Sequence, residues 1–309
     1  MKTNLAVSTA SLSLSLLLLT AAGTSRADTL FICNESNNTI VKLNTTSGAR
    51  TVFANSGLNQ PYSLAFDSAG NLYAANFGNN TIEEFNSAGV GTLFASSGLN
   101  GPVALAFDSA GNLFVANQTG NTIEEFNSAG VGTLFASFAS SALRMPSGLA
   151  FDGAGNLFVA NQTSGSVEKF NSAGVGTFLA ISGGTLGAPS SLAFDSAGNL
   201  YVADTAFPGR IEKINTSGVA TMFANELNPA VGLAFDSAGI LYVGGHGATI
   251  EGINSSGGMV VTIGGPPLLN PFGLAFQPIP EPSTWALLAC GLILLLLLKY
   301  RRAADNLVN

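Results

Sequence analysis

Apolar residues come in short bursts along most of this chain, and each burst is cut off by Gly, Asn, Asp or Ser. Leu64-Ala65-Phe66 gives way to Asp67-Ser68-Ala69-Gly70; Leu72–Ala75 follows, then the polar stretch Asn76–Asn80, then Thr81–Phe85, then Asn86-Ser87-Ala88-Gly89, then Gly91–Ala95. Bursts this short suit strands rather than helices. Asp or Asn opens each turn by accepting nearby backbone N–H groups, and Gly closes it by supplying a positive φ. The pattern predicts a four-stranded antiparallel meander.

That unit recurs. Leu-Ala-Phe-Asp ends at Asp67, Asp108, Asp152, Asp195 and Asp236, and a sixth copy ends at Gln277, with spacings of 41, 44, 43, 41 and 41 residues. A period near 40 built from short strands is the pattern of propeller blades. Pro61, Pro102, Pro146, Pro189, Pro229 and Pro271 precede the Leu of each copy, where a strand begins and a missing N–H is tolerated. Residues 28–54 supply second to fourth strands (Leu30–Cys33, Thr39–Leu43, Thr51–Phe53) without a first, and Phe272–Gln277 supplies a first strand with nothing after it. Pairing the two completes a ring with no open edge. The expected fold is therefore all-β: a six-bladed β-propeller over 28–277, closed by its C-terminal strand, with Leu105 and Phe107 among the residues buried between blades.

The two ends read differently. Lys2, an apolar stretch from Leu5 to Leu19 and Ser25-Arg26-Ala27 have the order of a secretory signal peptide over 1–27, cleaved after about Ala27; the alternative is an uncleaved anchor helix. At the other end an apolar run from Trp285 to Leu298, 14 residues, precedes Lys299, Arg301 and Arg302. As a transmembrane helix over 285–298 it would be about 21 Å long, short of the ~30 Å hydrocarbon core, and its basic tail would stay cytoplasmic.

Composition narrows the function classes. The chain is 47% hydrophobic and only 9% charged, which excludes a disordered protein. Between Asp28 and Gln277 there are 16 acidic residues against 6 basic ones, a net charge of −10, so nucleic acid is not an expected partner. Cys33 and Cys290 are the two cysteines, and with Cys290 in the C-terminal apolar run no internal disulfide is expected.

The unit from Leu64 to Phe85, Leu-Ala-Phe-Asp-Ser-Ala-Gly-Asn-Leu-Tyr-Ala-Ala-Asn-Phe-Gly-Asn-Asn-Thr-Ile-Glu-Glu-Phe, resembles the NHL repeat of six-bladed propellers, whose members include enzymes, ligand binders and scaffolds. Residues 278–309, with Pro280-Glu281-Pro282-Ser283-Thr284-Trp285, the apolar run and the basic cluster, resemble the PEP-CTERM sorting signal of Gram-negative bacteria. That resemblance implies an exosortase partner, transient anchoring in the inner membrane, cleavage near Pro280–Pro282, and release to the cell surface or exopolysaccharide matrix. The alternative is a permanent single-span anchor.

For chemistry, the first-to-second and third-to-fourth strand turns are nearly constant between copies, whereas the second-to-third loops and the blade-to-blade links differ. A specific site is expected on the varied face. Asn34, Asn76, Asn117, Asn161 and Asp204 end five second strands there, either as a ring of oxygen ligands or as caps of their own loops. His246 is the single histidine, and Arg144 and Arg210 are rare cations that could hold an anionic polysaccharide group. No Gly-x-Ser-x-Gly elbow is present. Glu83-Glu84 and Glu124-Glu125 place neighbouring carboxylates on opposite strand faces. Propellers similar to gluconolactonases hold a metal on Glu, Asn and Asp, and those similar to streptogramin lyases use several histidines. The expectation is a binding module without a catalytic set, a bound metal or a cofactor. A metal-dependent lactonase using Asn117, Asn161 and Asp204, and a passive structural matrix protein, are the alternatives.

Overall fold

The computed structural model describes residues 28–278 apart from 140, 142, 207 and 208. The signal segment 1–27 and the sorting segment, including Pro280–Trp285 and Lys299–Arg302, were expectations that lie outside the described residues. The chain divides into two units after Phe276, and the first holds every described strand. They form six four-stranded antiparallel sheets.

Five blades are sequential meanders. Blade 2 contains Pro61–Phe66, Leu72–Asn76, Thr81–Phe85 and Gly91–Ala95. The innermost strands of blades 3 to 6 are Pro102–Phe107, Pro146–Phe151, Pro189–Phe194 and Ala230–Phe235. Blade 1 is composite: Pro271–Phe276 pairs with Thr29–Asn34, bringing Phe31 opposite Ala275 and Ile32 opposite Leu274. The ring closes as the repeat count requires, and no blade lacks its inner strand. One short 3-10 turn, Glu35–Asn37, is the sole helical element among the described residues.

The turns follow from their sequences. Gly70 N donates to Asp67 O at 3.2 Å, while Asp67 Oδ1 accepts Asn71 N at 2.8 Å. In the other turn type Gly89 N donates to Asn86 O at 2.9 Å.

Six apolar clusters lie one in each gap between blades. Between blades 2 and 3, Tyr73, Ala75, Ile82 and Ala95 meet Leu105, Leu113, Val115 and Phe126. Tyr73 stands edge-on to Phe94 of its own blade and to Phe107 of the next, both at 5.0 Å. Leu105 is buried as expected, but Phe107 is half-buried. The fully buried phenylalanines are instead Phe85, Phe126 and Phe170, which end third strands, and Phe272 near the start of the closing strand. The first strand's terminal Phe lies at the rim of the gap, whereas the third strand's is enclosed between the glycine that opens its own blade's fourth strand and the neighbouring blade, as Phe126 is between Gly132 and Phe94.

Cys33 is a buried free thiol, and burial raises its pKa against the opposing hydrogen bond with the Gly273 backbone. It is an inert packing residue.

The inner strands converge so closely that side chains must shrink. A Cβ on Gly232 would stand 1.8 Å from Phe272 O. With Ser63, Ala104, Gly148, Ser191 and Gly273, Gly232 lines an axial channel of about 80 Å³.

Candidate functional site

Each inner strand carries an irregularity at its start. In blades 2 to 6 the register slips by one residue just after Pro61, Pro102, Pro146, Pro189 and Ala230, leaving Tyr62, Val103, Ser147, Ser190 and Val231 as the inserted residues. In blade 1 the slip spans Phe272. A bulge re-aims the side chain it carries. These six side chains gather at the mouth of the axis, on the face of the second-to-third loops, where they line a cup of about 260 Å³ with Gln118, Gln162, Thr205, Pro229 and His246.

Gln118, Gln162, Thr205 and His246 share one repeat position, the residue following Asn117, Asn161, Asp204 and Gly245. The same position holds Glu35 in blade 1 and Phe77 in blade 2. Along a strand, neighbouring side chains point to opposite sides. The Asx side chain therefore turns into the blade while its successor turns toward the axis.

The predicted Asx residues are all fully buried. Asn76 Oδ1 accepts Asn59 N at 3.0 Å, and its Nδ2 donates to Gly57 O at 2.8 Å and Thr81 Oγ1 at 3.0 Å. Asn117 repeats the set with Asn100 N, Gly98 O and Thr122 Oγ1. Asn34 donates to Thr39 Oγ1 and Pro267 O, and Asn161 accepts Arg144 N at 3.1 Å. Each of these residues clasps a blade-to-blade link distant in sequence, as well as, in blades 1 to 3, the threonine that opens its own blade's third strand. Asp204 accepts Gly187 N and Ala188 N at 2.8 Å and Ala206 N at 3.0 Å. Burial alone would raise its pKa, but these donors and the Arg210 guanidinium outweigh it and hold the carboxyl below its ordinary value.

The two arginines part company. Arg210 Nη2 lies 3.1 Å from Asp204 and its Nε 3.3 Å from Glu212, and it donates to Thr185 O. Its charge is matched inside blade 5. Arg144 lies outside the cup, its guanidinium carbon 3.7 Å above the Phe138 ring. His246 is exposed and meets the Phe272 ring edge-on at 5.0 Å. Among the described residues no three His, Cys, Asp or Glu side chains gather in a metal-holding group.

The cup is two-sided. On one side Phe77 packs on Tyr62 at 5.2 Å, Tyr62 on Phe272 at 4.9 Å, and Phe272 on His246. On the other, Gln118 Nε2 donates to Gln162 Oε1 at 3.2 Å, and Thr205 Oγ1 donates to Ala188 O at 2.9 Å. Burial, then the Glu35 carboxylate, raise the Tyr62 pKa, so the phenol remains a hydrogen-bond donor. The cup lies on the face of the varied loops, and Tyr62, Gln118, Gln162, Thr205 and Phe272, which line it, were not among the residues expected there. The available signal was the variation directly after a nearly constant Asx.

A larger hollow of about 450 Å³ opens on the opposite face between blades 5 and 6. Its cation, Lys213, is held 3.8 Å from Asp195 and 5.2 Å over the Tyr201 ring.

The first glutamate of the third strand, at Glu83, Glu124 and Glu251, has its pKa raised by burial. Ionisation of these groups destabilises the fold above their folded pKa, and the penalty disappears as the pH falls through it toward the unfolded value near ~4.3. Asp152, Asp195 and Asp204 have the opposite shift, lowered because hydrogen bonds and nearby cations outweigh burial. Their stabilisation is lost as the pH falls below ~4 through their depressed pKa values. The melting temperature is therefore expected to rise as the pH falls from 7 toward the unfolded glutamate value of ~4.3 and to decline below about pH 4. A flat or monotonically falling profile over that upper interval in calorimetry would contradict this.

No family model matches the chain, and no curated protein matches it in sequence. Solved structures do share its fold. A chain of a nidogen/laminin complex has a TM-score of 0.71 at 18% identity, covering 81% of this chain and 98% of that one. A virginiamycin B lyase from Staphylococcus aureus has a TM-score of 0.59 at 15% identity, covering 84% and 83%. A gluconolactonase from Xanthomonas campestris has 0.60 at 16% identity, covering 70% and 78%. At such identities the likeness is one of architecture.

Proposed function

We propose that this six-bladed propeller is an exported binding module that meets its partner at the axial cup. In this reading residues 1–27 direct export, and residues 278–309 act as a PEP-CTERM signal cut by an exosortase-type enzyme. The ring then reaches the cell surface or the extracellular matrix. One observation carries the binding role: all six blades contribute side chains to one cup, and the combination differs from blade to blade, whereas the turns of the opposite face are nearly constant. A ring serving only as filler has no need of that diversity. The lactonase alternative is disfavoured because Asn117, Asn161 and Asp204 direct their side-chain oxygens to backbone N–H groups of the links.

Fractionation of producing cells tests both halves. Replacing Lys299, Arg301 and Arg302 by Gln should leave the protein unprocessed in the inner membrane. The Gln118→Ala/Gln162→Ala double variant should be processed normally yet lose attachment to the surface or matrix fraction. Normal attachment of that double variant would refute the binding role of the cup.

A further inference from the structure

The ligand class can be read from the cup. Its volume of about 260 Å³ is just below the ~300–1,000 Å³ of pockets for drug-sized ligands, which sizes it for a single ring. None of the residues lining it is Asp, Glu, Lys or Arg. A phosphate or carboxylate ligand would therefore meet no Lys or Arg, and Glu35 stands near the Tyr62 phenol.

The polar side presents both hydrogen-bonding senses. In the Gln118–Gln162 pair, one donor and one acceptor satisfy each other, leaving the Gln118 carbonyl and the Gln162 amino group unpartnered among the described residues. Reversing both amides, the alternative assignment, again leaves one carbonyl and one amino group. A wholly apolar ligand would cover these groups without pairing them and so leave both desolvated and unsatisfied. A sugar hydroxyl both donates and accepts, so adjacent hydroxyls match the pair. Across the cup, Tyr62 with Phe77 beside it offers an aromatic surface to the C–H face of a pyranose, and its hydroxyl adds a donor.

We infer that the cup binds one pyranose ring of an uncharged glycan, packed on Tyr62 and hydrogen-bonded by Gln118 and Gln162. This deepens the binding-module reading and rests on it.

Titration calorimetry of the full chain tests the inference with neutral oligosaccharides (gluco-, galacto- and manno-hexaoses) and with oligogalacturonate as the charged counterpart. At least one neutral series should bind, and Gln162→Ala should weaken it ten-fold or more without moving the melting temperature. Tyr62→Ala, whose ring also covers Phe272, should weaken it similarly, and Tyr62→Phe by less. The glycan assignment is overturned if no neutral oligosaccharide binds, if oligogalacturonate binds as tightly, or if Gln162→Ala leaves affinity unchanged. Should the double variant still detach the protein from the matrix fraction while no saccharide binds, the binding module stands and its ligand is of another class.

Discussion

A chain ended at Asn270 is expected not to form a cooperatively folded ring, whereas one ended at Pro278 keeps the melting transition of the propeller. The eight residues between carry the closing strand. Without it Leu30, Phe31 and Ile32 lose their partners Phe276, Ala275 and Leu274, and Tyr62 and His246 lose contact with Phe272. Both the 6–1 and the 1–2 gaps are then opened, and Thr29–Asn34 becomes an apolar unpaired edge prone to association. The loss is comparable with a domain's whole margin of ~5–15 kcal/mol. Differential scanning calorimetry and size exclusion distinguish the outcomes. A sharp, monomeric transition for the shorter chain would show that closure is dispensable.

Phe126→Ala is the second large effect. Phe126 is fully buried in the gap between blades 2 and 3, 6.3 Å from the Phe94 ring. Gly132 follows so tightly that a Cβ there would lie 2.7 Å from the Phe126 ring. The strand that carries Phe126 is hydrogen-bonded on both sides and is not free to collapse into the space. The cavity should cost ~3–5 kcal/mol, lowering the melting temperature by roughly 6–20 °C for a domain of this size. Phe107→Ala, at the half-buried rim of the same gap, should cost distinctly less. Equal effects at the two positions would contradict the burial order.

Those two expectations divide along what local sequence encodes. Blade number, strand positions, both turn types and the closure of blade 1 follow from the chain alone, because each depends on alternation, on turn chemistry and on a count of repeats. Burial of Phe126 over Phe107 does not, since it depends on which strand end the neighbouring blade covers.

The candidate site shows the same division more sharply. The Asx positions were legible as a recurring feature, but their sequence neighbours do not reveal that Asn76 reaches back to Gly57 and Asn59, or Asp204 to Gly187 and Ala188. Those contacts exist only once blade is set against blade. The cup depends on bulges after the link residues, and a single inserted residue reverses which side every later side chain faces. Period-two reasoning carried through Pro61–Phe66 therefore misplaces Tyr62. What the amino-acid order determined by itself was a closed ring of six meanders with one constant and one varied face. The tertiary structure alone decided that Tyr62, Gln118, Gln162 and Phe272, from four blades, share one cup, because their meeting point is the axis, and an axis is a property of the assembled ring rather than of any repeat.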